Sequence, residues 1–209
     1  MKLFSNSFND GEKIPGEFAF AVQDKEHHIQ LSGNKNPHLA WQDLPAGTQS
    51  LVLICHDPDV PSKGDDVNQE GRTVPASLPR VDFYHWALLD IPASWNSIEA
   101  GAQSDGIVAK GKSGPAAPQG LKHGINNYTD WFAGDSEMAG NYFGYDGPCP
   151  PWNDEIIHHY VFTLYALADQ TLTVDCELTG ANVKAALDNV QVLGSASITG
   201  LYTLNPAVN

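Results

Sequence analysis

The chain has 209 residues, 42% of them hydrophobic, which suits one domain with a sizeable core. Its 25 acidic against 11 basic side chains leave a formal net charge of -14, a field that repels nucleic-acid phosphates and anionic membrane surfaces. No run of about 18 apolar residues occurs, so the sequence predicts no membrane-spanning helix.

The opening, MKLFSNSFNDGEKIPGEF, lacks the apolar region of a secretory signal, which predicts a cytoplasmic location. Gly and Pro are frequent and dispersed, a pattern of many short strands rather than long helices. The first strong apolar run, residues 51–55, has the length and Val/Ile content of a central strand and meets Asp57-Pro58 as a stop. Residues 62–82, rich in Gly, Pro, Asn and Asp, read as a long surface loop. A second strand is predicted at 86–91, ended by Pro92, and a second long surface loop at 110–146. A third strand opens at His158. Alternation places His158, Tyr160, Phe162 and Leu164 on one face and His159, Val161, Thr163 and Tyr165 on the other, both faces covered. Val183, Ala186, Leu187 and Val190 have helical spacing behind Thr179 as a cap, and ASITGLYTL reads as a last strand. The three cysteines, sparse and without a C-x-x-C, read as reduced thiols.

Three polar clusters lie at strand ends: Asp57 and Asp59 after the first, His85 before the second, His158 and His159 before the third. Antiparallel pairing of the first two strands would put Asp57 beside His85, and the third would bring His158 to the same rim. Two proline-stiffened segments flank them, Asp57-Pro58-Asp59-Val60-Pro61 and Gly147-Pro148-Cys149-Pro150-Pro151. Gly147 and Cys149 would offer backbone N–H groups to an anion, which the prolines cannot.

The ordered motifs LVLICHDPDVPS, YHWALLDIPA and GPCPP followed by HHYVFTLYAL resemble the phosphatidylethanolamine-binding protein family, in its bacterial and archaeal, Raf-kinase-inhibitor-like branch. The resemblance implies a mainly β sandwich in one domain over 1–209, a large antiparallel sheet packed on a smaller one, with helical segments near the C-terminus. It implies a pocket for phosphate, carboxylate or lipid head groups, with no cofactor or metal. The D-P-D-x-P motif matches Asp57, Asp59 and Pro61. The strand histidine matches His85, the G-x-x-P-P loop Gly147, Cys149 and Pro150, and the His-Arg-Tyr motif His158, His159 and Tyr160. His159 stands where the family usually carries arginine, and PWNDEII replaces a short glycine-rich turn.

The implied function is non-catalytic binding of a phosphoryl or carboxylate anion, with a regulatory or inhibitor-like role. Asp57 is expected to orient one imidazole and raise its pKa, leaving that ring's second N–H for the ligand. Charge-assisted bonds of about 1.5–3 kcal/mol each would give a site of roughly -4 to -8 kcal/mol. The alternative is a metal-dependent hydrolase using His85, His158, Asp57 and Asp59, without a compact motif such as H-E-x-x-H behind it. Bacterial relatives of this kind resemble dimers, and Trp131, Phe132, Tyr142 and Phe143 are read as exposed aromatics for a homodimer contact or a lid.

Overall fold

The computed structural model of the chain describes residues 1–208. Its strands are β1 (Lys2–Phe4), β2 (Ala21–Asp24), β3 (His28–Leu31), β4 (Leu39–Gln42), β5 (Ser50–Pro61), β6 (Arg80–Pro92), β7 (Ser97–Ile98), β8 (Lys122–His123), β9 (His158–Leu167) and β10 (Val192–Tyr202). The helices are α1 (Tyr128–Trp131) and α2 (Gly180–Ala186). A five-stranded antiparallel sheet runs in the order β10-β9-β5-β6-β8, beside a three-stranded sheet β1-β4-β7 and a hairpin β2-β3.

Strand periodicity decides what each face buries. Leu51, Leu53 and Cys55 of β5, Trp86 and Leu88 of β6, and Tyr160, Phe162 and Leu164 of β9 point one way. They pack against Leu39 and Trp41 of β4 and Ile98 of β7, so the large sheet lies on the smaller one. Val52, Ile54, Ala87 and Leu89 point the other way, beneath Val183 and Leu187. Thr179 caps that helix, its side chain accepting the Asn182 N–H at 3.2 Å. The β9 faces differ in cover: His158 to Leu164 are shielded on the core side, whereas His159 is exposed and Tyr165 half-buried on the other.

The strands are longer than the sequence predicts. β5 does not stop at Asp57-Pro58 but continues to Pro61, with a register shift between Asp57 and Val60 that absorbs the proline. Its pairing with β9 ends at His56↔Val161, so Pro58 sits where that side of β5 is an edge and a missing N–H is tolerated. β6 likewise begins at Arg80, which places His85 inside the strand instead of before it.

Residues 110–146 are not a surface loop. They contribute β8 at the sheet edge, α1, and the buried side chains of His123, Asn126, Tyr128, Tyr142, Tyr145 and Asp146. Tyr142 is wholly buried, so it offers nothing to a dimer contact. The aromatic content of this segment serves a third small core around Phe20, Tyr128 and Tyr142.

Val183 is completely buried between α2 and the sheet. Val183→Ala is expected to lower the free energy of unfolding by about 2 kcal/mol, read from urea denaturation, through lost burial and the cavity left behind.

Candidate functional site

The site forms where the central strands part. The β5–β9 ladder stops at His56↔Val161, yet both strands run on with their outer neighbours. The splayed ends are stitched by side chains. His158 Nδ1 meets Asp57 Oδ2 at 2.7 Å, and Asp59 Oδ2 accepts the backbone N–H of His159 at 2.9 Å. On β6, the pairs Cys55↔Trp86 and His56↔Tyr84 leave His85 as an extra, bulged residue. The bulge reverses the alternation. Tyr84 therefore joins the helix side, while Phe83 and His85 turn to the face carrying Tyr160. The result is a cavity of about 460 Å³.

His158 is fully buried and held at both ring nitrogens, by Asp57 and, through Nε2, by Asp154 Oδ2 at 3.1 Å. Asp154 in turn takes a bidentate pair from Arg80, at 2.6 and 3.0 Å. Burial opposes charge on His158, but hydrogen bonds to Asp154 and Asp57 and their negative charges outweigh it, raising the ring to about 9. Burial also works against the Asp154 carboxylate; the bonds from His158 and Arg80 overcome it and lower its pKa. Two cations and two carboxylates thus compensate one another, and the expected free N–H of His158 does not exist: its second nitrogen is spent on Asp154.

His85 is the opposite case. Its Nδ1 lies 2.7 Å from the Asp146 carbonyl oxygen, which fixes the proton there. Burial pushes its pKa down to about 4 despite the nearby Asp57 charge and that hydrogen bond. Near neutral pH the ring is therefore uncharged, with Nε2 a lone-pair acceptor. Among the described residues that nitrogen has no hydrogen-bond partner. The Tyr160 ring stands against it edge-on, 5.0 Å between centroids. The Asp146 carboxylate anchors this corner, accepting from Lys112 at 2.6 Å, Asn34 at 2.7 Å and Asn126 at 2.8 Å.

Of the residues singled out from sequence, Asp57, Pro61, His85, Cys149, Pro150, His158 and Tyr160 line the cavity. Asp59 and Gly147 do not. Asp59 is turned to His159, whose Nδ1 it meets at 2.8 Å, so His159 pairs with an acid by a hydrogen bond at the surface. The Gly147 N–H donates to Asn34 Oδ1 at 2.8 Å and is not open to a ligand. Glycine is required there because a Cβ would collide with the Phe18 carbonyl oxygen. The Cys149 N–H has no acceptor among the described residues, and burial pushes its thiol up to about 12.

Sequence reasoning missed Asp154, Arg80, Asp146 and the aromatic wall of Phe20, Phe83 and Tyr128. PWNDEII held a signal for the first: an acid four residues before the motif histidine. Asn153 of the same segment straps the 62–79 loop, its side chain donating to Asp66 and Arg72 carbonyls at 2.8 and 3.1 Å. Among the described residues no three His, Cys, Asp or Glu side chains are grouped to hold a metal ion.

These shifts have opposite signs in stability. His158 titrates above its unfolded value of about 6.5, so its contribution is complete below that pH and lost as pH rises through about 9. His85 and His123, both lowered to about 4, cost stability as pH falls from about 6.5 toward 4. Urea denaturation across pH is expected to show a maximum near neutrality and a loss of roughly 3 kcal/mol on the alkaline side. His158→Gln should flatten the alkaline limb and leave the acid limb.

Comparison with known proteins agrees with this architecture. A sequence model described as phosphatidylethanolamine-binding protein matches residues 4–203. The chain is similar to the UPF0098 protein YbhB of Escherichia coli (strain K12), 32% identical with 97% of this chain and 100% of that one covered. A UPF0098 protein of Methanothermobacter thermautotrophicus is 31% identical, covering 97% and 98%. The crystal structure of E. coli YbcL, described as a new member of the mammalian PEBP family, superposes with a TM-score of 0.66 at 25% identity, covering 97% of each chain. The chain belongs to the phosphatidylethanolamine-binding protein family.

Proposed function

We propose that this chain is a non-catalytic binding protein for small phosphoryl or carboxylate anions, with the head group seated between His85, Tyr160 and the Cys149 N–H. The observation that carries the reading is the His85 ring: buried, pinned through Nδ1, and left with Nε2 for a ligand. The attraction comes from a shared proton. His158 supplies little net positive field because two carboxylates quench it. A neutral Nε2 beside a phosphate binds only with a proton between them, whether drawn as imidazolium or as a phosphate O–H donor. Lys63 adds positive charge to the cavity wall.

The rest of the site favours occupancy over turnover. Its thiol is held protonated, and its charged histidine is clamped on both sides and cannot exchange protons with a substrate. A regulatory module set by occupancy matches these features better than the hydrolytic alternative, whose intended ligands Asp57 and His158 already bond to each other.

Because the complex holds one proton more than neutral ring plus dianion, affinity for methyl phosphate should fall about tenfold per pH unit above the phosphate pKa of about 6. Calorimetry at pH 7.5 in buffers of different ionisation enthalpy should count one proton taken up. His85→Ala should weaken binding about 10- to 100-fold, the worth of one charge-assisted bond. Binding with no proton uptake, or unchanged in His85→Ala, would overturn the reading.

A further inference from the structure

A second cleft shares three chain segments with the first cavity. It encloses about 470 Å³ and is lined by His28, Thr73, Trp152, Glu155, Asn205 and Val208 among others. β3 gives Ile29 and Leu31 to the first cavity and His28 to the cleft, as strand alternation requires. Pro150 and Pro151 line the cavity, and Trp152, next in chain, lines the cleft. The 62–79 loop serves the cavity through Lys63 and Asn68 and the cleft through Thr73.

The cleft carries a flat aromatic surface. The His28 ring lies on the Trp152 ring, with centroids 3.8 Å apart and planes 6° off parallel. Glu70 Oε1 holds His28 Nε2 at 2.6 Å, and the Trp152 N–H donates to Asn68 Oδ1 at 3.0 Å, so both rings are tied to the loop. The His28 side chain is still 41% exposed although Trp152 covers one of its faces.

The charge is one-sided. Glu155 Oε2 accepts the Ala76 N–H at 2.8 Å, while among the described residues Oε1 has no hydrogen-bond partner and the carboxylate no ion pair. The neighbouring Asp154 differs, since its carboxylate is spent on His158 and Arg80. Among the described residues no lysine or arginine lines the cleft, and Glu70 adds a second carboxylate behind His28. An anion here would meet Glu155, and a neutral guest would leave that carboxylate unpaired. A cation is matched by it and drawn by the molecule's net charge of -14.

We infer that this cleft is a second binding site, for a small guanidinium compound paired with the Glu155 carboxylate and laid against the His28–Trp152 stack. A guanidinium is planar, donates a fork of N–H groups to a carboxylate and stacks on aromatic faces; an ammonium supplies charge alone. The site is separate from the anion pocket and does not depend on the head-group reading.

The test titrates N-acetylarginine amide, its neutral isostere N-acetylcitrulline amide and N-acetyllysine amide into the protein by calorimetry. The Trp152 indole N–H resonance, assigned with Trp152→Phe, locates the binding. The arginine derivative is expected to bind at least about tenfold tighter than the citrulline one, from the charge-assisted bond. It should bind at least about threefold tighter than the lysine one, from planarity and stacking. Glu155→Gln, nearly isosteric, should weaken it about 10- to 100-fold and leave methyl phosphate binding unchanged. His28→Asn, tolerated at φ 65°, should bring the arginine-to-lysine ratio close to one. No saturable binding below about 10 mM, an unmoved Trp152 resonance, equal affinity for the citrulline derivative or indifference to Glu155→Gln overturns the site. Equal affinity for the lysine derivative overturns the guanidinium assignment.

Discussion

A single buried imidazolium holds the functional end of this molecule together. His158 sits at the point where β5 and β9 stop pairing, with Asp57 on one side and Asp154, backed by Arg80, on the other. Isolated, a buried charge here would be prohibitive; the arrangement is tolerable because each ring nitrogen and each carboxylate has a partner at hydrogen-bond distance. Asp57 Oδ1 accepts the Asp59 N–H at 2.8 Å, and Asp154 Oδ1 that of Ile156 at 3.2 Å. The cluster locks three chain segments against each other. Any cavity beside it inherits fixed walls.

That clamp also decides what kind of binding chemistry is left. By consuming Asp57 and His158 internally, it leaves the uncharged His85 as the cavity-lining histidine with an unpaired ring nitrogen among the described residues. A positively charged niche would attract anions at every pH and bind them with little discrimination. A neutral ring nitrogen accepts a hydrogen bond and gives no attraction to a bare anion. The strong net negative charge of the surface works in the same direction, since a bare anion gains little from the long-range field.

The PWNDEII segment carries much of this design. PWNDEII supplies Asp154 for the clamp and Asn153 for strapping the 62–79 loop. The 110–146 segment supplies the sheet's edge strand and, through Tyr128 and Phe132, part of the aromatic wall. Length in these regions adds side chains to the site; neither segment is idle surface.

Alternating apolar residues, strand length and the spacing of Val183, Ala186 and Leu187 determined the sheet, the core face of β9 and the capped helix, because side-chain periodicity maps directly onto backbone geometry. Ordered motifs determined that distant segments would meet at Asp57, His85 and His158. The tertiary structure alone decided the direction and partnership of each group. A one-residue bulge turned His85 to the cavity, and a proline lay harmlessly where a ladder had ended. Asp154, four residues from His158, occupied a nitrogen that local reasoning left free. Charge state follows burial and neighbours, and those are properties of the assembled fold.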